Sequence, residues 1–242
     1  MAKVKCHSNP SVSCNECRLS TLCLPISLHV DEVTKLDSII KRGRPLQKGN
    51  YLYRANDKFR SVYAVRSGSF KTFTLSSAGE EQITGFYLPG EILGLDGINE
   101  DLYLNSAMAL ETSSICEIPF DHMEQISRDI PALQRRFFRL MSKEITSDQQ
   151  LFSLLSRKSA LARIASFLLS ISSRNQQRQL SATVFQLSMS RSEMANYLGL
   201  TIETTSRVFS KLQKDSLIHV VSRKNIELLD VDRIREYALS TD

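Results

Sequence analysis

Three of the chain's five cysteines fall within ten residues, CNECRLSTLC (14 to 23), placing Cys14, Cys17 and Cys23 in a C-x2-C-x5-C run. Thiols at such spacing can hold a metal, hold an iron-sulfur cluster or exchange electrons among themselves. No run approaches the ~20 apolar residues of a membrane span. The opening MAKVKCHSNP also lacks the apolar middle of a secretory signal. A cytoplasmic chain with no membrane attachment is therefore expected, and in that reducing compartment clustered cysteines serve metals or redox chemistry more than structural disulfides. An odd count of five points the same way.

On spacing alone three chemistries stay open. Three thiolates on one loop can occupy three corners of an iron-sulfur cluster while a fourth, remote cysteine ties the loop to the body, as in ferredoxins. Tetrathiolate zinc usually uses two C-x2-C pairs, and this chain has one. A switch between Cys14 and Cys17 would need no metal. Cys116 and Cys6 are the candidates for a fourth position. Cys116 alternates with Ile118 and Phe120 on a strand-like stretch, where a buried free thiol fits as well as a ligand. Arg18 puts a cation beside Cys17. The four histidines (His7, His29, His122, His219) are scattered and no catalytic motif stands out, so an enzyme is not expected.

A second constellation lies in SRSEMANYLGLTIETTSRVFSKLQ (190 to 213). Ser190 and Glu193 form an S-x-x-E capping box, Gly199 supplies a turn, and Thr201 can cap a second helix reaching about Gln213. This is a helix-turn-helix pattern. Its second helix turns Thr205, Val208, Phe209 and Leu212 inward and leaves Glu203, Ser206, Arg207 and Ser210 outward. Arg can bind guanine O6 and N7 in a fork, Glu can accept from a cytosine amine, and Ser can approach a base or a phosphate. An i, i+4 ion pair between Glu203 and Arg207 is the plainer alternative. Beyond it, LIHVV and IELLD flank SRKN (222 to 225), a hairpin whose Arg223 and Lys224 suit backbone phosphates.

These groups need elements to position them. All six prolines lie at or before Pro131, and eight of nine glycines at or before Gly97, so the chain changes character near residue 130. Before it, stretches such as SVYAVRSGSFKTFTL (61 to 75), with turn signals at Ser67-Gly68 and Ala78-Gly79, predict antiparallel β-structure in a small barrel or roll. From Pro131 a long helix is predicted. Along it Phe138, Met141, Ile145, Asp148, Phe152 and Leu155 recur at alternating intervals of three and four, the seam of a two-stranded coiled coil. The competing assignment packs that stripe on the chain's own β-domain. In a homodimer Asp148 would face its twin and weaken the seam. Residues 1 to 150 carry 18 Lys and Arg against 18 Asp and Glu, and residues 151 to 242 carry 13 against 8, so the whole net charge of +5 sits in the last part. A polyanion partner for that part is expected.

A glycine-rich β-roll, a long helix and a C-terminal winged helix-turn-helix together resemble the catabolite activator protein superfamily. GEEQITGFYLPGEILGLDGI (79 to 98), ALETSSICEIPF (109 to 120) and ETTSR (203 to 207) are similar to one branch, the fumarate and nitrate reduction regulators. The resemblance implies an α+β fold with a cysteine-rich segment at 1–29, a roll sensor at 30–130, a dimerisation helix at 131–158 and a DNA-binding domain at 159–242. It also implies an oxygen-labile four-iron, four-sulfur cluster on Cys14, Cys17, Cys23 and Cys116, with Cys6 a spare thiol. Dimerisation with the cluster intact, base reading of TTGAT inverted repeats by Glu203, Ser206 and Arg207, and contact with RNA polymerase through SSAGEEQ (76 to 82) follow from it too. Cyclic-nucleotide-binding members carry an arginine that grips the ligand's phosphate. Here Asn105-Ser106 stands at that place, so no cyclic nucleotide is expected. A zinc-dependent or thiol-redox regulator of the same fold is the alternative.

Overall fold

The structure is a computed structural model and describes residues 12–222 and 224–240. It divides into two compact units between Lys143 and Glu144.

The first unit opens with a short turn at Cys14–Glu16 and helix α1 (Val30–Ile39), where the Glu32 carboxylate accepts the His29 N–H at 2.8 Å. Seven strands follow: β1 (Tyr51–Tyr53), β2 (Ser61–Ser67), β3 (Phe70–Leu75), β4 (Glu81–Tyr87), β5 (Ile92–Leu93), β6 (Ser106–Ala109) and β7 (Ser114–Pro119). They form two antiparallel sheets ordered β1-β6-β3-β4 and β5-β2-β7. The Ser67-Gly68 signal therefore marks a corner between sheets, since β2 and β3 are not neighbours. Gly68 takes φ +74°, and a Cβ there would lie 2.1 Å from Ser113 Oγ, so only glycine fits. The Ala78-Gly79 signal does close a hairpin, β3 to β4.

Helix α2 (Phe120–Asp129) and the 27-residue α3 (Pro131–Arg157) come next. Ile130, Leu133, Phe137 and Leu140 join Val62, Phe70, Leu93, Ile118 and Met123 in the roll's core. This packing of the first turns of α3 explains why the compact unit extends to Lys143 and does not stop at Pro131. α1 and α2 had no counterpart in the sequence reading, because the β-rich composition around them dominates.

The second unit contains the end of α3, α4 (Ala160–Gln177), β8 (Val184–Gln186), α5 (Arg191–Tyr197), α6 (Ile202–Lys214), β9 (Ile218–Val220), β10 (Asn225–Leu228) and α7 (Val231–Leu239). The strands form a small antiparallel sheet ordered β8-β10-β9. Ile164, Leu168, Ile171, Leu198, Leu212, Leu217 and Ile234 are all buried, giving this unit its own core. Among the described residues no helix is long and apolar enough to cross a membrane.

Candidate thiol centre and nucleic-acid interface

Cys14, Cys17 and Cys23 lie on the loop before α1, and Cys116 lies on β7, paired with Ala64 of β2. All four are free thiols. Cys23 is within electrostatic reach of Cys14, Cys17 and Cys116, and Cys116 of Cys17, so the fold gathers the three loop thiols and the remote one in a single neighbourhood. They do not converge on one ion: among the described residues no three His, Cys, Asp or Glu side chains form a group that could hold a metal ion. Cys6 lies outside the described residues.

Burial is the main influence on these thiols. It raises Cys14 strongly, with a hydrogen bond to Asp37 acting in the same direction. It pushes Cys23 up to about 12 against the opposing Leu24 N–H, and it raises Cys116 against the nearby cations Arg42 and Arg66. Without a ligand these three thiols stay protonated at neutral pH, and binding a metal group would release protons.

Two half-buried arginines and an aspartate hold the loop, and sequence reasoning missed all three. The Cys14 N–H donates to Asp37 Oδ1 at 2.7 Å, and Arg42 pairs with the same carboxylate while reaching Cys14 Sγ at 3.6 Å. Burial opposes ionisation of Asp37, but Cys14 and Arg42 together keep its carboxyl below the usual range. Arg136 of α3 donates through Nε to the Cys23 carbonyl at 3.2 Å and through Nη2 to the Leu22 carbonyl. Nothing in the spacing of Asp37, Arg42 or Arg136 announces this role. Arg18, singled out in the sequence, is exposed.

The loop also seats on the roll. Leu22 packs so close to Gly90, φ +92°, that a Cβ there would stand 3.2 Å from it. At the place of the phosphate-gripping arginine, the backbone N–H and Nδ2 of Asn105 both donate to Asp96 Oδ2 at 2.9 Å, and Leu104 N–H adds a third bond at 3.2 Å. Asn105 is thereby engaged with a carboxylate and offers no cation.

In the second unit the capping pattern is realised. Ser190 Oγ accepts the Glu193 N–H at 3.2 Å while Glu193 accepts the Ser190 N–H at 2.8 Å, and Thr201 Oγ1 accepts the Thr204 N–H at 3.1 Å. Gly199 takes φ +60° between α5 and α6. Thr205, Phe209 and Leu212 are buried, Val208 is half-buried, and Glu203, Ser206, Arg207 and Ser210 are exposed together on α6. The Arg207 guanidinium donates to Thr204 Oγ1 at 3.2 Å. Underneath, the Arg191 guanidinium stacks on the Phe209 ring at 3.2 Å from its centroid, and burial lowers its pKa to about 10. β9 and β10 form the expected hairpin; Lys224 is half-buried at its tip and Arg223 lies outside the described residues.

Along α3, Phe138, Ile145 and Phe152 are 57%, 59% and 74% exposed. Met141 packs in part on the roll core and Leu155 is half-buried, so the protein's own units take two of the stripe's members. Asp148 is exposed in area, yet partial desolvation raises its carboxyl pKa.

Comparison with known proteins gives two domain matches, a cyclic nucleotide-binding domain over residues 43–129 and a Crp-like helix-turn-helix domain over residues 162–237. The transcriptional activator protein Anr of Pseudomonas aeruginosa is 51% identical over 227 residues, 94% of this chain and 93% of that protein. The fumarate and nitrate reduction regulatory protein of Vibrio cholerae is 43% identical over 228 residues, 94% of this chain and 91% of that protein. Among solved structures, FixK2 from Bradyrhizobium japonicum superposes with a TM-score of 0.77 at 26% identity, covering 84% of this chain and all of that one.

Proposed function

Because the chain belongs to the fumarate and nitrate reduction regulator branch of the catabolite activator protein superfamily, whose members are DNA-binding transcription regulators and not enzymes, we propose that it switches anaerobic genes in response to oxygen. The observation that carries this reading is the gathering of four free thiols from two separate segments, with their loop hydrogen-bonded to the long helix through Arg136.

Cys14, Cys17, Cys23 and Cys116 are the residues that would hold a four-iron, four-sulfur cluster. The donor set fits, being all thiol, with Cys14 buried and the other three half-buried, and drawn from a loop and a separate strand. When bound, the cluster supplies an oxygen-labile link between the loop and β7. Arg136 hands any shift of the Leu22 and Cys23 backbone carbonyls to the second turn of α3. Phe138, Ile145 and Phe152, with Met141 and Leu155, then seal a homodimer seam that Asp148 opposes. Moving such an equilibrium from mostly off to mostly on takes about 5.5 kcal/mol. A handful of newly buried apolar side chains supplies that much, at ~1.5–3 kcal/mol each.

Pairing sets two α6 helices about one DNA turn apart, as a TTGAT inverted repeat requires. The exposed turn between β3 and β4 is the surface offered to RNA polymerase. The Asp96-centred network at Asn105 supports a protein that does not answer to cyclic nucleotides.

One purification under nitrogen tests the reading. Brown protein with about four irons and four sulfides per chain, bleaching in air, is the expected result. Colourless protein holding zinc, or metal-free protein cycling between thiol and disulfide, would overturn it. For the seam, Asp148→Ala is expected to raise the dimer association constant in air by about tenfold, some 1.4 kcal/mol, measured by analytical ultracentrifugation. An unchanged constant would remove Asp148 from the switch.

A further inference from the structure

The joint between α3 and α4 gathers the ends of three helices onto two cations. Arg163, in the first turn of α4, donates through Nε to the Lys158 carbonyl at 2.9 Å and through Nη2 to the Leu155 carbonyl at 2.9 Å. Its Nη1 reaches the Leu198 carbonyl at 3.0 Å and the Gly199 carbonyl at 3.3 Å. Leu155 belongs to the last turn of α3, and Leu198 and Gly199 form the turn between α5 and α6. Lys158 adds the end of α7, with Nζ on the Leu239 and Ser240 carbonyls at 2.8 and 3.1 Å.

The last carbonyls of a helix have no partner within it and carry the negative end of its dipole. A planar guanidinium offers five donors in a rigid fork, so a single side chain can hold carbonyls from two different helix ends in a fixed relation. An ammonium cannot reproduce that fork. A side chain at Gly199 would also come within 3.4 Å of Arg163 Nη1 and 3.9 Å of Leu155, so the turn is seated directly on this joint. The recognition helix α6 starts three residues beyond Gly199, at Ile202.

We infer that Arg163 is a positioning residue that sets the direction of α6 from the end of α3, and thereby the half-site spacing the protein accepts. It touches no base. The inference goes beyond the oxygen reading and rests only on the pairing through α3. With a rigid joint, two α6 helices in a pair fit one spacing; with a loose joint, each still reads its own half-site, but the pair tolerates a neighbouring spacing.

The experiment uses full-length protein kept under nitrogen and three duplexes: an inverted repeat at the optimal spacing, the same repeat widened by one base pair, and a single half-site. Wild type, Arg163→Lys and Arg163→Gln are compared by fluorescence anisotropy at one salt concentration, with circular dichroism confirming the fold. For Arg163→Gln the preference for the optimal over the widened repeat is expected to drop about tenfold, with Arg163→Lys between, through loss of two or more charge-assisted hydrogen bonds. Single half-site binding is expected to stay unchanged. An intact spacing preference overturns the inference, as does an equal loss on all three duplexes, which marks a merely structural role. If Arg163→Gln does not fold, the Arg163→Lys comparison decides by the same criteria. Wild-type protein indifferent to spacing would defeat the pairing itself, and the inference with it.

Discussion

Cys116→Ser protein purified without oxygen is expected to retain less than one iron per chain and to bind inverted-repeat DNA at least ~100-fold more weakly than wild type, since a large part of the ~5.5 kcal/mol bias toward the paired state is lost. This cysteine separates the rival readings best. It sits on β7 with its backbone fixed opposite Ala64, so a neighbouring loop thiol cannot slide into its place. An ordinary half-buried thiol changed to serine, the other meaning of Cys116, costs at most ~1–3 kcal/mol of stability through the partly buried hydroxyl and leaves iron uptake untouched. Iron and sulfide analysis with a DNA titration distinguishes the two outcomes directly. Cys6→Ser is the control and is expected to match wild type in both. Full iron occupancy in Cys116→Ser would remove this residue from the ligand set while leaving the three loop thiols in question.

Arg207→Ala is expected to weaken binding to the preferred half-site by ~10–100-fold, the ~1–3 kcal/mol of one forked contact to guanine, and to relax discrimination at a single base pair. The side chain is exposed on α6 and donates to Thr204, one turn earlier on the same helix. Its removal therefore leaves the fold intact, and thermal unfolding is expected to be unchanged within error. Arg207→Lys does not restore discrimination, because an ammonium cannot present two parallel donors. Lys224→Ala on the wing behaves differently: it weakens all sequences alike and lowers the salt slope by about one. A panel of half-sites substituted one position at a time, titrated at two salt concentrations, reads both effects. Uniform loss from Arg207→Ala would reassign it from base reading to phosphate contact.

How legible each feature was depends on how local its cause is. The helix-turn-helix could be read residue by residue because every signal in it acts over a few positions: the Ser190-Glu193 box, the Gly199 turn, the Thr201 cap and the inward Thr205, Phe209 and Leu212. The start of α3 at Pro131 was legible for the same reason. The Ser67-Gly68 corner was legible as a turn but not as a change of sheet, since that depends on Ser113, far along the chain, occupying the space where a side chain would go. α1 was hidden in part by its cap at His29, a residue outside the usual Ser, Thr, Asp and Asn set.

The cysteine spacing, the exposed polar face of α6 and the uneven charge belong to the sequence by itself, because residue type and periodicity along the chain decide them. Whether Cys116 joins the loop thiols, which cations stand beside them, and how helix ends are bolted together were decided only by tertiary structure. Arg42, Arg136 and Arg163 act on backbone carbonyls, carboxylates and thiols brought near by folding, up to 114 residues away in the case of Arg136 and Leu22. A carbonyl has no residue identity, so no motif announces the side chain that will bind it.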